Sequence, residues 1–535
     1  MLPASFQNIP LGNTVRSEGT YFRFYCPKAR HVQLEVYHSY SAEPEQTHPM
    51  HKDGEGIWNV RVNEDLTGHF YAYRITPPEV KSAFFMETDY AVADPYSLHV
   101  ASKNHYLQYP RTKIIETDFE WDGDQFVCPD DPRDLIIYEA HLKDMTAHPS
   151  ADSEGKGAYV DFLEAKTGGL QHLKRMGVNA IELLPLQKFA YFEPPFGKRV
   201  KTGVKNTWNH YSRNHWGYMT SFFLAPETLY GSDASLKAGR VVGGGEHAVS
   251  ELKNLIKTLH KEGFTVLMDV VYNHASHYDL NPLKYSDKEH YFRLDQKGVF
   301  QNDSWTGNDI RTESKYARKL ILDSIKYWAS EYHIDGFRFD LAGLIDWETV
   351  DQIRDQLKKI NPKAILIAEP WGGEYRPQGL SHHGWACWND RIRNGIKGHH
   401  PDHGKGFIFG KWIHGYNRFS LENLIRGTLI NGNHGLFNHA SHAVNYVESH
   451  DGYTLGDFIR IALKQSNRDR RYRSSSDATR MSDSALKLSR LAAMFLFVSQ
   501  GIAMIHSGQE WGRAKVIHDP SGKDPSIGKL DHDSY

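Results

Sequence analysis

Three acidic side chains follow runs of apolar residues at widely separated places in the sequence. Asp340 lies in DGFRFDLAGL, Glu369 follows the apolar run of AILIAEPW, and Asp451 ends NYVESHD. Cleavage of a glycosidic bond needs two carboxyl groups, one as nucleophile or base and one as the acid that protonates the leaving oxygen. The residue types therefore indicate glycoside chemistry.

Arg338 precedes Asp340 by two residues, so strand alternation places both on the face opposite Phe337 and Phe339. A neighbouring guanidinium favours an ionised carboxylate, which suits Asp340 as a nucleophile. Glu369 has no cation beside it in the sequence, and burial would raise its pKa, which suits a general acid. A buried ion pair with a purely structural role is the alternative interpretation of Arg338 and Asp340.

Polar residues recur late in other apolar segments. TVLMDVVYNH carries Asp269, Asn273 and His274, and NYVESHD carries His450. In a barrel of parallel strands the C-terminal strand ends surround one pocket, so we expect these side chains to meet there. The sequence contains no GxSxG or HExxH motif, and no glycine-rich phosphate loop follows a strand. These observations favour a carboxylate-based active site over serine, metal or nucleotide chemistry.

Strand-like and helical segments alternate from about residue 134 onward. The predicted strands are 135–142, 180–186, 265–274, 336–342, 364–371, 445–451 and 501–508. The predicted helices are 168–177, 247–264, 315–332, 347–359 and about 485–498, with Gly263 at the C-terminal cap of the second. This alternation is typical of a parallel sheet covered by helices. We predict an α/β fold, a (β/α)8 barrel over 126–535, with a doubly wound open sheet as the alternative.

Residues 1–125 contain short β-type segments separated by glycine-containing turns, which predicts a β-sandwich. Two connections within the barrel, at about 187–246 and 275–314, are long. Long loops in a compact domain are often functional, and in a barrel they would lie on the face that carries the active site.

The whole chain has 535 residues and a formal net charge of -2, which gives no electrostatic reason to expect nucleic acid or a membrane surface as a partner. Its three cysteines are widely spaced and imply neither a disulfide framework nor a zinc cluster. We find no signal-peptide pattern and no apolar stretch of membrane-spanning length, so we expect a cytoplasmic protein. The sequence leaves the oligomeric state open.

The segments DVVYNH, GFRFDLA, AEPW and VESHD, in this order, resemble the four short conserved regions of the α-amylase superfamily (glycoside hydrolase family 13). The resemblance implies a (β/α)8 barrel and a retaining mechanism on α-glucans. It implies that Asp340 is the nucleophile, Glu369 the general acid/base and Asp451 a third carboxylate that holds sugar hydroxyls. It also implies substrate-binding and supporting residues, namely Tyr218, His274, Arg338, Trp371 and His450 for binding and Asp269 and Asn273 for support.

The resemblance extends to debranching members of that superfamily. The N-terminal region is similar to a carbohydrate-binding module of family 48. NHWGYMTSFFLAPETLYGS is similar to a pullulanase and isoamylase segment in which the tyrosine matched by Tyr218 stacks on the sugar; Met219 stands where many pullulanases have aspartate. AEPWGG is closer to isoamylases and WNDRIRNGIKG to type I pullulanases. The implied function is hydrolysis of α-1,6 branch linkages in glycogen, amylopectin, pullulan or limit dextrins.

Other functions found in the same superfamily are alternatives to debranching. A branching enzyme shares the active-site residues, whereas α-1,4 amylases and trehalose-forming relatives fit HWGYMT less well. A non-catalytic glucan-binding subunit is disfavoured by the three intact carboxylates. The chemistry requires no cofactor; calcium is compatible with the resemblance, but the sequence identifies no metal ligands. Relatives continue with a last barrel helix and a C-terminal β-domain, and the residues after GIAMIHSGQEWGRA leave no room for both, so we expect the eighth helix to be missing and that domain to be absent or truncated.

Overall fold

The computed structural model describes residues 6, 9–116, 118–153, 157–200, 203–209, 213–517 and 526–532, with the side chain of residue 475 left out. The strands are β1 Gly12–Arg16, β2 Gly19–Tyr25, β3 His31–Tyr37, β4 Gln46–Pro49, β5 His51–Lys52, β6 Ile57–Val62, β7 Phe70–Thr76, β8 Val100–Lys103, β9 Arg111–Lys113, β10 Ile136–Ala140, β11 Ala180–Leu183, β12 Gln187–Phe189, β13 Thr220–Pro226, β14 Val241–Val242, β15 Thr265–Val270, β16 Gly336–Phe339, β17 Ile365–Ala368, β18 Ala386–Asn389, β19 Gly398–His400, β20 Gly404–Lys405, β21 Ala443–Asn445 and β22 Ile502–His506. The helices are α1 Tyr159–Glu164, α2 Gly169–Met176, α3 His247–Lys261, α4 Pro282–Tyr291, α5 Lys315–Glu331, α6 Trp347–Ile360, α7 Pro377–His382, α8 Asp390–Ile396, α9 Arg418–Ile425, α10 Leu455–Ala462, α11 Ser475–Ala478 and α12 Asp483–Val498.

Two antiparallel sheets form the N-terminal part of the chain. One has the strand order β1-β2-β6-β5, and the other has the order β14-β8-β9-β7-β3-β4. Their facing side chains form a shared apolar core that includes Phe22, Val32, Leu34, Trp58 and Tyr71. These observations confirm the predicted β-sandwich, in which inward residues alternate with outward ones along each strand.

Eight parallel strands close the barrel in the order β10-β11-β15-β16-β17-β18-β21-β22, with β22 pairing back onto β10. This arrangement confirms the (β/α)8 barrel and excludes the open doubly wound sheet. Phe337 and Phe339 pack outward in the same core as Trp328 of α5 and Ile353 of α6. Arg338 lies on the opposite, interior face, as strand alternation predicted.

The structure differs from the prediction at one missed strand, one displaced strand and the two long connections. β18, the sixth barrel strand, was missed because ACWN is four residues long and carries no β-branched residue. The strand predicted at 445–451 occupies Ala443–Asn445 instead. After Asn445 the carboxylate of Glu139 accepts the His450 N–H, so this part of the backbone bonds to a side chain instead of to a neighbouring strand. The long connections also have structure of their own: 187–246 contains β12, β13 and β14, and 275–314 contains α4.

The predicted helices are present with small changes at their ends. Gly263 follows the C-terminal end of α3 with φ +83°, the left-handed conformation expected for a helix-terminating glycine. After β22 the described residues contain one short 3-10 helix, Gln509–Trp511. No helix in the described ranges has the length and apolar character that a membrane crossing requires.

A barrel loop is tied to the N-terminal sheets through β14. Val241 and Val242 pair with Lys103 and Ser102 of β8. The next residue, Gly243, has φ +75°, and a Cβ there would lie 2.5 Å from the carbonyl oxygen of Val100. Glycine is therefore required at this position by backbone conformation and by space.

We predict that Gly243→Ala lowers the free energy of unfolding more than Gly239→Ala does. Gly239 has φ +78° but no atom within 4 Å of a built Cβ, so alanine there meets only the backbone penalty of about 1–2 kcal/mol. Gly243→Ala adds a backbone clash and should lose roughly twice as much. Urea denaturation of both variants measures the difference. Equal losses of unfolding free energy would contradict a close contact between Gly243 and the backbone of Val100.

Candidate active site

Polar side chains lie close together at the C-terminal ends of the neighbouring barrel strands β15, β16 and β17. Asp269 lies in β15 and is the register partner of Arg338 in β16. Asp340 comes directly after the end of β16, and Glu369 directly after the end of β17. The strand register therefore brings residues that are distant in sequence to one level of the barrel.

Arg338 is the centre of this group. Its side chain is fully buried, and Nη1 donates to both carboxylate oxygens of Asp269 at 2.9 Å and to Asp340 Oδ1 at 3.2 Å. Nη2 lies 3.2 Å from Glu369 Oε2, and the guanidinium lies 4.2 Å from the centre of the Trp388 ring. A buried cation needs such compensation, because desolvation of an unpaired charge is unfavourable. The ion pair predicted from the sequence is present, and it involves three carboxyl groups instead of one.

Asp340 is oriented by the residues that follow β15. Asn273 Nδ2 donates to Asp340 Oδ2 at 2.9 Å and to its carbonyl oxygen at 2.8 Å. His274 is held between Asn273 Oδ1, 2.5 Å from Nδ1, and the carbonyl oxygen of Tyr218, 2.7 Å from Nε2. Asn273 and His274 thus lie where the sequence predicted, and they form a chain of contacts from Asp340 to the segment that carries Tyr218.

Glu369 is buried, and burial raises its pKa to about 8. The guanidinium of Arg338 opposes this rise, whereas the negative charges of Asp340 and Asp451 add to it. The sequence predicted the direction and its main cause but not the nearby arginine, which comes from another strand. At neutral pH Glu369 holds a proton, as a general acid must.

The residue after Asp340 has an unusual backbone. Leu341 has φ +39°, a left-handed conformation that is unfavourable for a branched side chain, and its N–H donates to Glu369 Oε2 at 2.8 Å. Gly372 lies opposite, where a Cβ would be 2.9 Å from the Leu341 Cβ. The turn therefore links the two carboxyl groups through the backbone, and strain of this kind is common at functional sites.

Asp451 and Trp371 lie farther out than the Arg338 group. Asp451 is exposed to solvent and accepts a hydrogen bond from the Gly452 N–H at 2.8 Å. Its charge still acts on the pKa of Glu369, which places it within electrostatic range. Trp371 is half-buried and lies edge-on to Trp388 with ring centres 6.3 Å apart. Both side chains are accessible to a ligand, in contrast to Arg338.

Tyr218 and His450 form the opposite wall. Their rings stack at 4.9 Å with an interplanar angle of 25°. The Tyr218 hydroxyl donates to Asp269 Oδ2 at 2.5 Å, and His450 Nδ1 lies 2.7 Å from Glu139 Oε1. With this wall, the structure places each residue predicted for the site at the C-terminal end of the barrel.

Comparisons with known proteins agree with this geometry. Residues 10–97 match the family model "Carbohydrate-binding module 48 (Isoamylase N-terminal domain)", and residues 248–383 match "Alpha amylase, catalytic domain". The chain is 30% identical to a pullulanase of Bacillus subtilis (strain 168), over 98% of this chain and 68% of that protein. It belongs to the debranching type of the α-amylase superfamily.

Further members of the superfamily show similar agreement. The chain is 28% identical to the chloroplastic isoamylase 1 of Arabidopsis thaliana, over 95% of this chain and 69% of that protein. The crystal structure of a Paenibacillus barengoltzii pullulanase in complex with maltohexaose and α-cyclodextrin superposes with a TM-score of 0.77 and 31% identity. That comparison covers 98% of this chain and 77% of the pullulanase chain. The chain is therefore a glycoside hydrolase of the α-amylase superfamily.

Two buried glutamates in neighbouring barrel strands, Glu139 and Glu182, were missed from the sequence. Glu139 of β10 lies between His450 and His506 Nδ1, the latter at 2.5 Å. Burial alone would raise the pKa of Glu139, but the two histidines outweigh burial and lower it. Glu182 of β11 is fully buried with no hydrogen-bond partner among the described residues, and burial raises its pKa far above the usual range. The available signal was a charged residue inside each apolar strand segment, IIYEA and AIEL.

One group of side chains in the described ranges could hold a metal ion. The ligand atoms of His141, Asp144 and His215 lie within 4.8 Å of one another. Calcium prefers six to eight oxygen ligands, whereas this group offers two imidazoles and one carboxylate. The group does not fit calcium, and no step of the reaction is assigned to it.

We predict that Arg338→Met lowers the free energy of unfolding by about 3–5 kcal/mol, because it leaves buried carboxylates without their cation. Arg354→Met is the matched control, since Arg354 pairs with Asp351 and Asp355 near the surface and should contribute roughly 1 kcal/mol or less.

The loss in Arg338→Met should be smaller at pH 5 than at pH 8, because protonation of Asp269 and Glu369 removes the uncompensated charge. The pKa of Asp269 is raised to about 6 and that of Glu369 to about 8, chiefly by burial, even with the arginine present. Urea denaturation of both variants at both pH values measures these losses. Equal losses of unfolding free energy for Arg338→Met and Arg354→Met would contradict the central role of Arg338.

Proposed function

We propose that this enzyme hydrolyses α-1,6 branch linkages of branched α-glucans by a retaining double displacement. The observation that carries the proposal is that one buried guanidinium contacts both Asp340 and Glu369, and that burial raises the pKa of Glu369 to about 8. A common contact to one guanidinium favours the short carboxyl separation typical of retaining enzymes. The similarity of the chain to a pullulanase and an isoamylase supports the α-1,6 linkage.

In the first step Asp340 attacks the anomeric carbon while the glycosidic C–O bond breaks. Glu369 transfers its proton to the departing oxygen, and a glycosyl ester forms on Asp340. In the second step the Glu369 carboxylate takes a proton from water, and the resulting nucleophile attacks the anomeric carbon. The bond to Asp340 breaks, so the enzyme returns to its starting protonation state.

The remaining residues position the substrate. We assign sugar-hydroxyl binding to Asp451, because it is exposed to solvent while its charge still acts on the pKa of Glu369. Tyr218, His274 and His450 border the sugar that is attacked, and Trp371 offers an accessible ring. Asp269 and Asn273 act by holding Arg338, Tyr218 and Asp340 in place.

No cofactor takes part in this scheme, since carboxyl groups and water supply every transferred proton. The substrates we propose are glycogen, amylopectin, pullulan or limit dextrins, each of which contains α-1,6 linkages.

A parallel assay on pullulan, glycogen and amylose tests the linkage. We expect new reducing ends from pullulan or glycogen and none from amylose. Asp340→Asn should lower kcat by at least about 1,000-fold with little change in folding, because the ester cannot form. Cleavage of amylose alone would contradict debranching, and a shift in iodine staining without new reducing ends would indicate transfer instead of hydrolysis.

The pH profile tests the role of Glu369. Its pKa near 8 predicts that kcat/KM falls about tenfold per pH unit above pH 8, as the proton needed for the leaving group is lost. Glu369→Gln should lower activity on glucans by about 10²–10⁴-fold and remove this alkaline decline.

A glycosyl fluoride gives the matched control for Glu369→Gln, because fluoride leaves without protonation. Ester formation from an α-maltosyl fluoride should therefore be nearly normal in the variant. An equal defect on glucan and on the fluoride would contradict the assignment of Glu369 as the acid.

A further inference from the structure

Trp305 combines an exposed aromatic side chain with a left-handed backbone conformation. Its side chain is 75% exposed, and its backbone φ is +61°. A large aromatic residue rarely adopts the left-handed region, and an exposed indole gains little from burial. Both features are unfavourable for stability, which points to a function for this side chain.

The loop that carries Trp305 is firmly braced. The Asp309 carboxylate accepts hydrogen bonds from the N–H groups of Asp303 at 2.8 Å and Ser304 at 2.9 Å. Asn308 exchanges two hydrogen bonds with the backbone of Ala275, the residue after His274, at 3.0 and 2.8 Å. The indole is therefore presented on a rigid loop that is joined to the active-site segment.

Trp305 lines a cavity of about 640 Å³ beside the catalytic loops. Gly343 and Gly373, three and four residues after Asp340 and Glu369 respectively, also lie in its wall. The charged residues of the wall are Arg293, Asp303, Glu313, Asp346, Glu374 and Arg376. We call this space the Trp305 cavity.

The charges of the Trp305 cavity indicate what it binds. Arg293 pairs with Glu313 at 2.9 Å and Arg376 with Glu374 at 3.0 Å, so the two cations are already compensated. An anionic ligand would find more carboxylates than cations. A neutral ligand with many hydroxyl groups and one apolar ring face fits the lining, because paired charges offer hydrogen bonds and the indole offers a flat surface.

We propose that the Trp305 cavity is a subsite for a glucose unit of the α-glucan chain, distinct from the unit that Asp340 attacks, with the sugar ring stacked on the indole. The inference rests on the proposed function and deepens it, since it makes the enzyme prefer ligands long enough to reach from the carboxylates to Trp305.

Ligand binding without turnover tests the subsite. In the Asp340→Asn background, calorimetric titration with maltohexaose and with maltose compares Trp305→Ala, Trp305→Phe and Trp412→Ala. Trp412 is the control, because it is 46% exposed and does not line the Trp305 cavity. Trp305→Ala should bind maltohexaose about three- to tenfold more weakly and leave maltose affinity unchanged, whereas Trp305→Phe retains most of the affinity.

A stability measurement separates binding from a structural role. Asparagine tolerates the left-handed conformation, so Trp305→Asn should keep or raise the melting temperature while it weakens maltohexaose binding. Unchanged maltohexaose affinity in Trp305→Ala would overturn the subsite, as would an equal loss for maltose or a lowered melting temperature with normal binding. Failure of the Asp340→Asn parent to bind any glucan would instead count against the proposed function itself.

Discussion

The architecture of this active site depends on one fully buried arginine. Arg338 projects into the barrel interior, where its charge is removed from water and must be balanced locally. Asp269 and Asp340 supply that balance from two strand ends, and the carboxyl group of Glu369, at the end of a third, lies 3.2 Å from the guanidinium. A structural ion pair and the catalytic role that we propose for Asp340 are therefore compatible, because the same contacts can stabilise the barrel and orient the carboxyl groups.

Burial and local hydrogen bonds give the carboxyl groups of the site different properties. Burial raises the pKa of Glu369 to about 8, while Asp340 receives hydrogen bonds from Asn273 and Arg338. Behind them, Glu139 sits between two histidines and fixes His450, which in turn stacks on Tyr218. The wall formed by Tyr218 and His450 is therefore supported by Glu139 from the barrel interior. This support holds the two rings in a fixed orientation.

Much of this arrangement was accessible from the sequence, because strand alternation and apolar runs fix which face a residue occupies. They placed Arg338 inward and the carboxylates at strand ends. They did not show that Asp269 and Glu369 share Arg338, since that contact joins three strands and depends on register. β18 was missed because four residues are too few to show a period. The segment 445–451 was predicted as a longer strand than it forms, because the His450 N–H bonds to the Glu139 carboxylate and not to a neighbouring strand. No sequence pattern indicated Trp305, because exposure and a left-handed backbone cannot be read from residue type.

The most direct test of the proposed mechanism is to trap the covalent intermediate. A 5-fluoro-α-glucosyl or maltosyl fluoride forms the ester quickly and loses it slowly, so digestion and mass spectrometry can locate the sugar. We expect a single labelled site at Asp340, within the peptide that contains GFRFD, and no label in the Asp340→Asn variant. A label on Glu369 or Asp451, or full turnover of glucans with inversion at the anomeric carbon and no adduct, would contradict it.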